Sequence, residues 1–117
     1  MALTEIESYL FSVPGENLVC SLAHFDFSNH QVMLRLQPWP DGRNAPKVTV
    51  LAVFPSAKVE SIEEDHTERE SWPLDIIGFD CYPQGDRWRF VLQCDSVEWC
   101  WLSGWPTKQI THPLLEG

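Results

Sequence analysis

A chain of 117 residues with 44% apolar and 21% charged side chains can bury a core of its own, so one domain over residues 1–117 is expected and a disordered chain is excluded. Seventeen acidic against eight basic residues leave a net charge of −9, which disfavours nucleic acid and anionic lipid, because both are held by clusters of Lys and Arg. No apolar run approaches the ~20 residues of a membrane span, and the first residues carry Glu5 and Glu7 without a basic side chain, unlike an export signal.

In chain order, Leu3–Phe11 reads as a short helix. Thr4 can cap it, Glu7 stands at the capping-box spacing, and Ile6, Tyr9 and Leu10 form an apolar stripe. Pro14-Gly15 ends it. Asn17–Phe27 alternates as a strand with Val19, Ala23, Phe25 and Phe27 on one face, and Ser28-Asn29 is the expected turn. His30–Gln37 follows with Val32, Leu34 and Leu36 on its apolar face. After a loop at Pro38–Gly42, Lys47–Phe54 is apolar on both faces, as in a central strand, and Pro55 stops it. Lys58–Ile62 is a short edge strand, and the acidic stretch of residues 60–70 is expected to be exposed.

Three further strands, Asp75–Tyr82, Arg87–Cys94 and Val97–Leu102, can be placed in register by their turns. A two-residue turn at Asp95-Ser96 sets Leu92 opposite Trp99 and Phe90 opposite Trp101. A four-residue loop at Pro83–Asp86 sets Cys81 opposite Trp88, Phe79 opposite Phe90 and Ile77 opposite Leu92. Both schemes put Ile77, Phe79, Cys81, Trp88, Phe90, Leu92, Cys94, Val97, Trp99 and Trp101 on one face, and a one-residue slip would scatter them. On the polar face Asp80 then meets Arg89, and Gln93 meets Glu98. Ser103–Gly117 reads as mostly irregular. The expected fold is α+β, mainly antiparallel β: a six- or seven-stranded meander with one short N-terminal helix.

Motifs for chemistry are sparse. No phosphate-binding glycine loop, nucleophile elbow or HExxH stands in the sequence, and no cofactor or metal is implied. A tight turn after Phe27 keeps His24 and Asp26 apart from His30, and Glu64-Asp65-His66 are adjacent residues of poor ligand geometry. Cys20, Cys81, Cys94 and Cys100 each lie in an apolar strand-like run, which suits free thiols in a reducing cytoplasm. Cys100, on the more polar face, is the best placed for a nucleophilic pair with a histidine; an inert buried thiol is the competing reading. Trp88, Trp99 and Trp101 belong to the core face. Trp39, Trp72 and Trp105 each adjoin a proline, either capping the ends of the sheet or anchoring a partner.

Charge is uneven along the chain. Residues 1–56 hold five acids and three bases, whereas residues 57–117 hold twelve and five. Within 60–70, Glu60, Glu63, Glu64, Asp65, Glu68 and Glu70 stand against Arg69 alone, and Trp72 follows. These seven residues, the six acids and Trp72, are the expected partner-binding set, with the carboxylates steering a cationic protein.

The stretch IIGFDCYPQGDRWRFVLQCDSVEWCWLSGWP, residues 76–106, resembles small acidic bacterial immunity proteins of the polymorphic-toxin type, through Trp88-Arg89-Phe90 and Trp105-Pro106. The resemblance implies a cytoplasmic inhibitor that neutralises a cognate toxin by binding it; the chain itself is expected to be a monomer or a homodimer. Two other classes remain open at the level of sequence: a small-molecule-binding or enzymatic β domain with a Trp-lined pocket, and a homo-oligomeric assembly protein joined through strand edges.

Overall fold

A computed structural model of the chain describes residues 4–12, 21–37, 48–64, 74–95 and 97–111. Among these residues one helix, α1 (Glu5–Phe11), precedes eight strands: β1 (Ser21–Ser28), β2 (Gln31–Gln37), β3 (Thr49–Phe54), β4 (Lys58–Glu64), β5 (Leu74–Gln84), β6 (Arg87–Cys94), β7 (Val97–Ser103) and β8 (Thr107–Thr111). The fold is mainly antiparallel β with one short helix, and it has eight strands rather than six or seven. Their order, β4-β7-β6-β5-β1-β2-β3-β8, is not that of a simple meander.

The departure from a meander lies in one bent ribbon. Thr49–Val53 pair with Thr107–Thr111, and Lys58 and Val59 pair with Leu102 and Trp101. Between these blocks Gly104 N donates to Pro55 O at 3.0 Å, so the two chains stay paired through the bend. The halves of the ribbon become the two ends of the sheet, and the sheet folds back on itself. A Cβ on Gly104 would lie 3.2 Å from Pro55 Cγ, so the bend relies on glycine for its close approach.

The folded sheet encloses an aromatic core. Phe54 of β3 meets Phe90 and Trp101 edge-on, with ring centroids 4.9 and 5.1 Å apart, and Phe25 of β1 stacks on Trp99 of β7 at 4.3 Å. Val32, Leu34 and Leu36 of β2 are fully buried, as their alternation predicts; so are Val50, Ala52 and Phe54 of β3, while the other face of that strand, also expected to be buried, is only half-buried. Each fully buried side chain of Val, Leu or Phe size contributes roughly 1.5–3 kcal/mol.

The β6–β7 register is the expected one, with Leu92 opposite Trp99 and Phe90 opposite Trp101. The β5–β6 register is not. Cys81 faces Phe90, Phe79 faces Leu92, and the turn is Gly85-Asp86, where Gly85 supplies φ +67°. β5 therefore runs on through Pro83. Its lost N–H costs nothing on the side of β5 that pairs with no other strand there, since β1 meets β5 only at Leu74 and Asp75. A shift of two residues preserves faces, so the aromatic side is as expected apart from Ile77. A bulge between Ile76 and Gly78 turns Ile76 toward the core and leaves Ile77 64% exposed.

Three other expectations change. The β1–β2 turn is Asn29-His30, not Ser28-Asn29, because both turn residues take positive φ (51° and 60°) and Phe27 pairs with Val32. A bulge near Ala23 also resets the β1 faces: Leu22 is buried, Phe25 packs on the core, and Phe27 at the strand end is 44% exposed. The tail, expected to be irregular, forms β8.

Among the described residues β1 and β5 pair at two positions, and two seams flank that contact. One lies between β5 and β8, and α1 covers it. The capping box forms as predicted, with Thr4 N donating to Glu7 Oε1 at 2.9 Å and Glu7 N to Thr4 Oγ1 at 3.2 Å. Thr4 Oγ1 also donates to Phe79 O of β5 at 2.6 Å. At the other end Lys108 of β8 donates to Tyr9 O (2.7 Å) and Ser12 O (2.9 Å), placing a cation at the helix C-terminus, whose last turn has none of its own. The second seam, between β1 and β4, has no such cover among the described residues.

Candidate functional site

The open seam begins where the β1–β2 turn meets the β3–β4 bend. Ala57 N donates to His30 O at 2.6 Å, and Arg87, at the start of β6, donates from Nη1 to Ser56 O at 3.2 Å. Ser56 holds φ +52°, a left-handed conformation that a residue with a Cβ adopts only at some cost. Around these contacts lies an open cavity of about 650 Å³ lined by Phe27, His30, Ser56, Ala57, Lys58, Val59 and Arg87. No tryptophan lines it, so the Trp-lined pocket of the small-molecule reading is not this one.

Beyond the cavity, β4 runs along the seam as the last strand of the sheet, paired among the described residues on one side only, with β7. Ser61, Ile62 and Glu63 are exposed on it, Ile62 at 53%. Glu63 stands directly opposite Glu98 of β7, a like-charge cross-strand pair that is unfavourable on its own. Glu98 is partly compensated, since it accepts from Gln93 Nε2 at 3.0 Å, the contact expected from the sequence.

Of the seven residues expected to bind a partner, Glu60, Glu63 and Glu64 lie on β4. Asp65, Glu68, Glu70 and Trp72 fall outside the described residues. Glu60 sits at a β4 bulge and turns inward along the sheet surface, its Oε1 3.0 Å from Arg89 Nη2. The expected pair of Asp80 with Arg89 is replaced, because the corrected register sets Asp80 opposite Val91 and Tyr82 opposite Arg89. Glu63 is the acid left outward on the described part of the edge.

The surroundings of the three described cysteines disfavour the thiolate. Burial and the neighbouring Glu60 raise the Cys100 pKa, and Arg89 offsets this only in part; Sγ lies 3.8 Å from Glu60 Oε1, where a thiol can donate. Burial also raises Cys81, beside Glu5. Cys94, only 6% exposed, is pushed up to about 12 by burial and then by Asp95 and Asp75. All three are free thiols, and Cys20 lies outside the described residues. A nucleophile needs the thiolate, which these surroundings disfavour.

His24 and Asp26 flank a recess of about 130 Å³ with Arg35, whereas His30 lines the larger cavity. Among the described residues no three metal-ligating side chains converge, and no helix is long and apolar enough to cross a membrane. Trp105 packs inward against Tyr9, Trp88 and Phe90, as a cap on the sheet; Trp39 and Trp72 lie outside the described residues. The cavity and Ser56 escaped the sequence reading because the wall residues, 27, 30, 56–59 and 87, come from four separate stretches. Comparison with protein-family models, curated proteins and solved structures finds no match.

Proposed function

We propose that this chain is a protein-binding inhibitor of the immunity type, which neutralises a cationic toxin domain in the cytoplasm by docking it along β4. The observation that carries the reading is the open edge of β4, where an exposed Ile62 is followed by an outward Glu63 facing Glu98. An unpaired strand edge offers backbone donors and acceptors to a partner strand, and soluble proteins ordinarily block such edges. The like-charge pair is relieved when a Lys or Arg of the partner comes between the carboxylates. Each copy of β4 carries Glu60, Glu63 and Glu64 against Lys58 alone, so two such edges repel on balance, which favours a cationic partner over a homodimer. The free thiols suit a reducing compartment, and the resemblance over residues 76–106 points to the same class.

The test is titration of the purified chain against the product of the neighbouring reading frame, by biolayer interferometry across salt concentrations. Ile62→Lys with Glu63→Lys should weaken binding about tenfold or more, with a flatter salt dependence of the on-rate. Absence of binding, or binding indifferent to both substitutions, would overturn the reading.

A further inference from the structure

The cavity at the head of the open seam has a character opposite to the rest of the molecule. In a chain of net charge −9, it gathers Lys58, Arg87 and the His30 imidazole around an apolar wall of Phe27, Ala57 and Val59. Two other cations have fixed duties: Arg89 pairs with Glu60, and Lys108 holds the helix. Among the described residues no carboxylate lies within ion-pair distance of Lys58 or Arg87. Arg87 is nevertheless held in place, because one guanidinium nitrogen donates to Ser56 O, while among the described residues its other donors meet no acceptor.

We infer that this cavity binds a small organic anion, an apolar body ending in a carboxylate or a phosphate. Three features converge on that class. A volume of about 650 Å³ falls within the range of small-molecule sites. Phe27, 44% exposed at its strand end, offers a ring face to an apolar body. Arg87 and Lys58 supply charge-assisted donors beside apolar walls, where such bonds are stronger than in open water. The walls are also tied together before any ligand arrives, since the His30–Ala57 backbone bond locks the turn to the bend. Little ordering is then required on binding. This inference does not depend on the toxin reading: it concerns the head of the seam, not the acidic part of β4.

Anilinonaphthalene sulfonate, an apolar body with one anionic group, is a matched fluorescent probe, and N-phenylnaphthylamine is its neutral counterpart. The full chain should bind the sulfonate at one site. Lys58→Gln combined with Arg87→Gln should weaken the sulfonate about tenfold or more and leave the neutral probe unchanged. Phe27→Ala should weaken both. Displacement by octanoate or octyl phosphate, but not by octanol, would separate the two headgroups and confirm the need for charge. Unaltered sulfonate affinity in the double variant, or equal displacement by octanol, would overturn the inference. Should Arg87→Gln loosen the bend, seen as a lowered urea midpoint, Lys58→Gln alone and Arg87→Lys decide: the first must weaken the sulfonate, and the second must retain most of its binding.

Discussion

The two seams of the folded sheet pose the same physical problem and meet it differently. Between β5 and β8 the gap is closed by a seven-residue helix, which is too short to be stable alone. It is held by side chains from both flanking strands or reaching to them, Thr4 on Phe79 O and Lys108 on Tyr9 O and Ser12 O. Between β1 and β4 the described residues show instead an open cavity and a bare strand edge. The closed seam spends its polar groups on the fold, whereas the open one leaves Lys58, Arg87 and Glu63 facing outward. That difference is the physical reason for placing function on the open side.

The first way to break the comparison is through the core that both seams share. Phe54 touches Phe79, Phe90 and Trp101 across the folded sheet. Phe54→Ala should cost about 3–5 kcal/mol in urea unfolding, since it leaves a cavity among rigid rings. A second large effect is confined to alkaline solution. Cys94 is pushed up to about 12 in the folded chain, above the ordinary thiol value of 9. The folded state therefore keeps the proton longer than the unfolded state. The resulting stabilisation is whole below pH 9 and is lost as pH rises from 9 toward 12, by roughly 3–4 kcal/mol at full titration. Cys94→Ala should flatten the stability profile over that window, and a slope equal to that of the wild type would show that Cys94 is not the group responsible.

Legibility followed the range of the interactions. The β6–β7 register could be read because its turn is local and its faces are set by alternating aromatics, Phe90 and Leu92 against Trp101 and Trp99. The β5–β6 register was displaced by two residues because Pro83 reads as a stop, although it occupies a strand position that needs no N–H. The core face survived that error since the side-chain period is two. Ile77 did not, as a bulge leaves no mark in the apolar pattern. β8 escaped notice because Thr107–Thr111 bury almost nothing; the strand exists through its pairing with β3. The seams arise from which distant strands meet, so neither the Lys108 clamp nor the cavity could be found by reading along the chain.

The closed seam can be tested directly. Lys108→Met keeps the aliphatic stem and removes two hydrogen bonds to helix carbonyls along with the cation at the helix C-terminus. The expected loss is about 1–3 kcal/mol in urea unfolding, with early amide exchange in residues 5–11. Thr4→Ala should act in the same direction, by about 1–2 kcal/mol, because the cap and the bond to Phe79 O go together. Unchanged exchange in the helix would mean that it docks through Ile6, Leu10 and Phe11 alone.

The smallest stability effect should come from the open seam, and there a null result is informative. Ile62 and Phe27 stand opposite Trp99 and Val32 but remain 53% and 44% exposed, so a polar replacement keeps its polar end in water. Ile62→Lys should therefore change unfolding free energy by less than about 0.5 kcal/mol, as should Phe27→Ser. Ile62→Lys sets the new side chain opposite Trp99, on the face away from the Glu63–Glu98 pair, so no electrostatic gain is expected from it. An unchanged urea midpoint with an unchanged slope would show that these side chains lie outside the cooperative core, available to a partner or ligand. A loss above about 1 kcal/mol at either position would mean that the β1–β4 seam is packed in solution. In that event the contrast between the two seams fails, and with it the reason for reading the open side as the functional one.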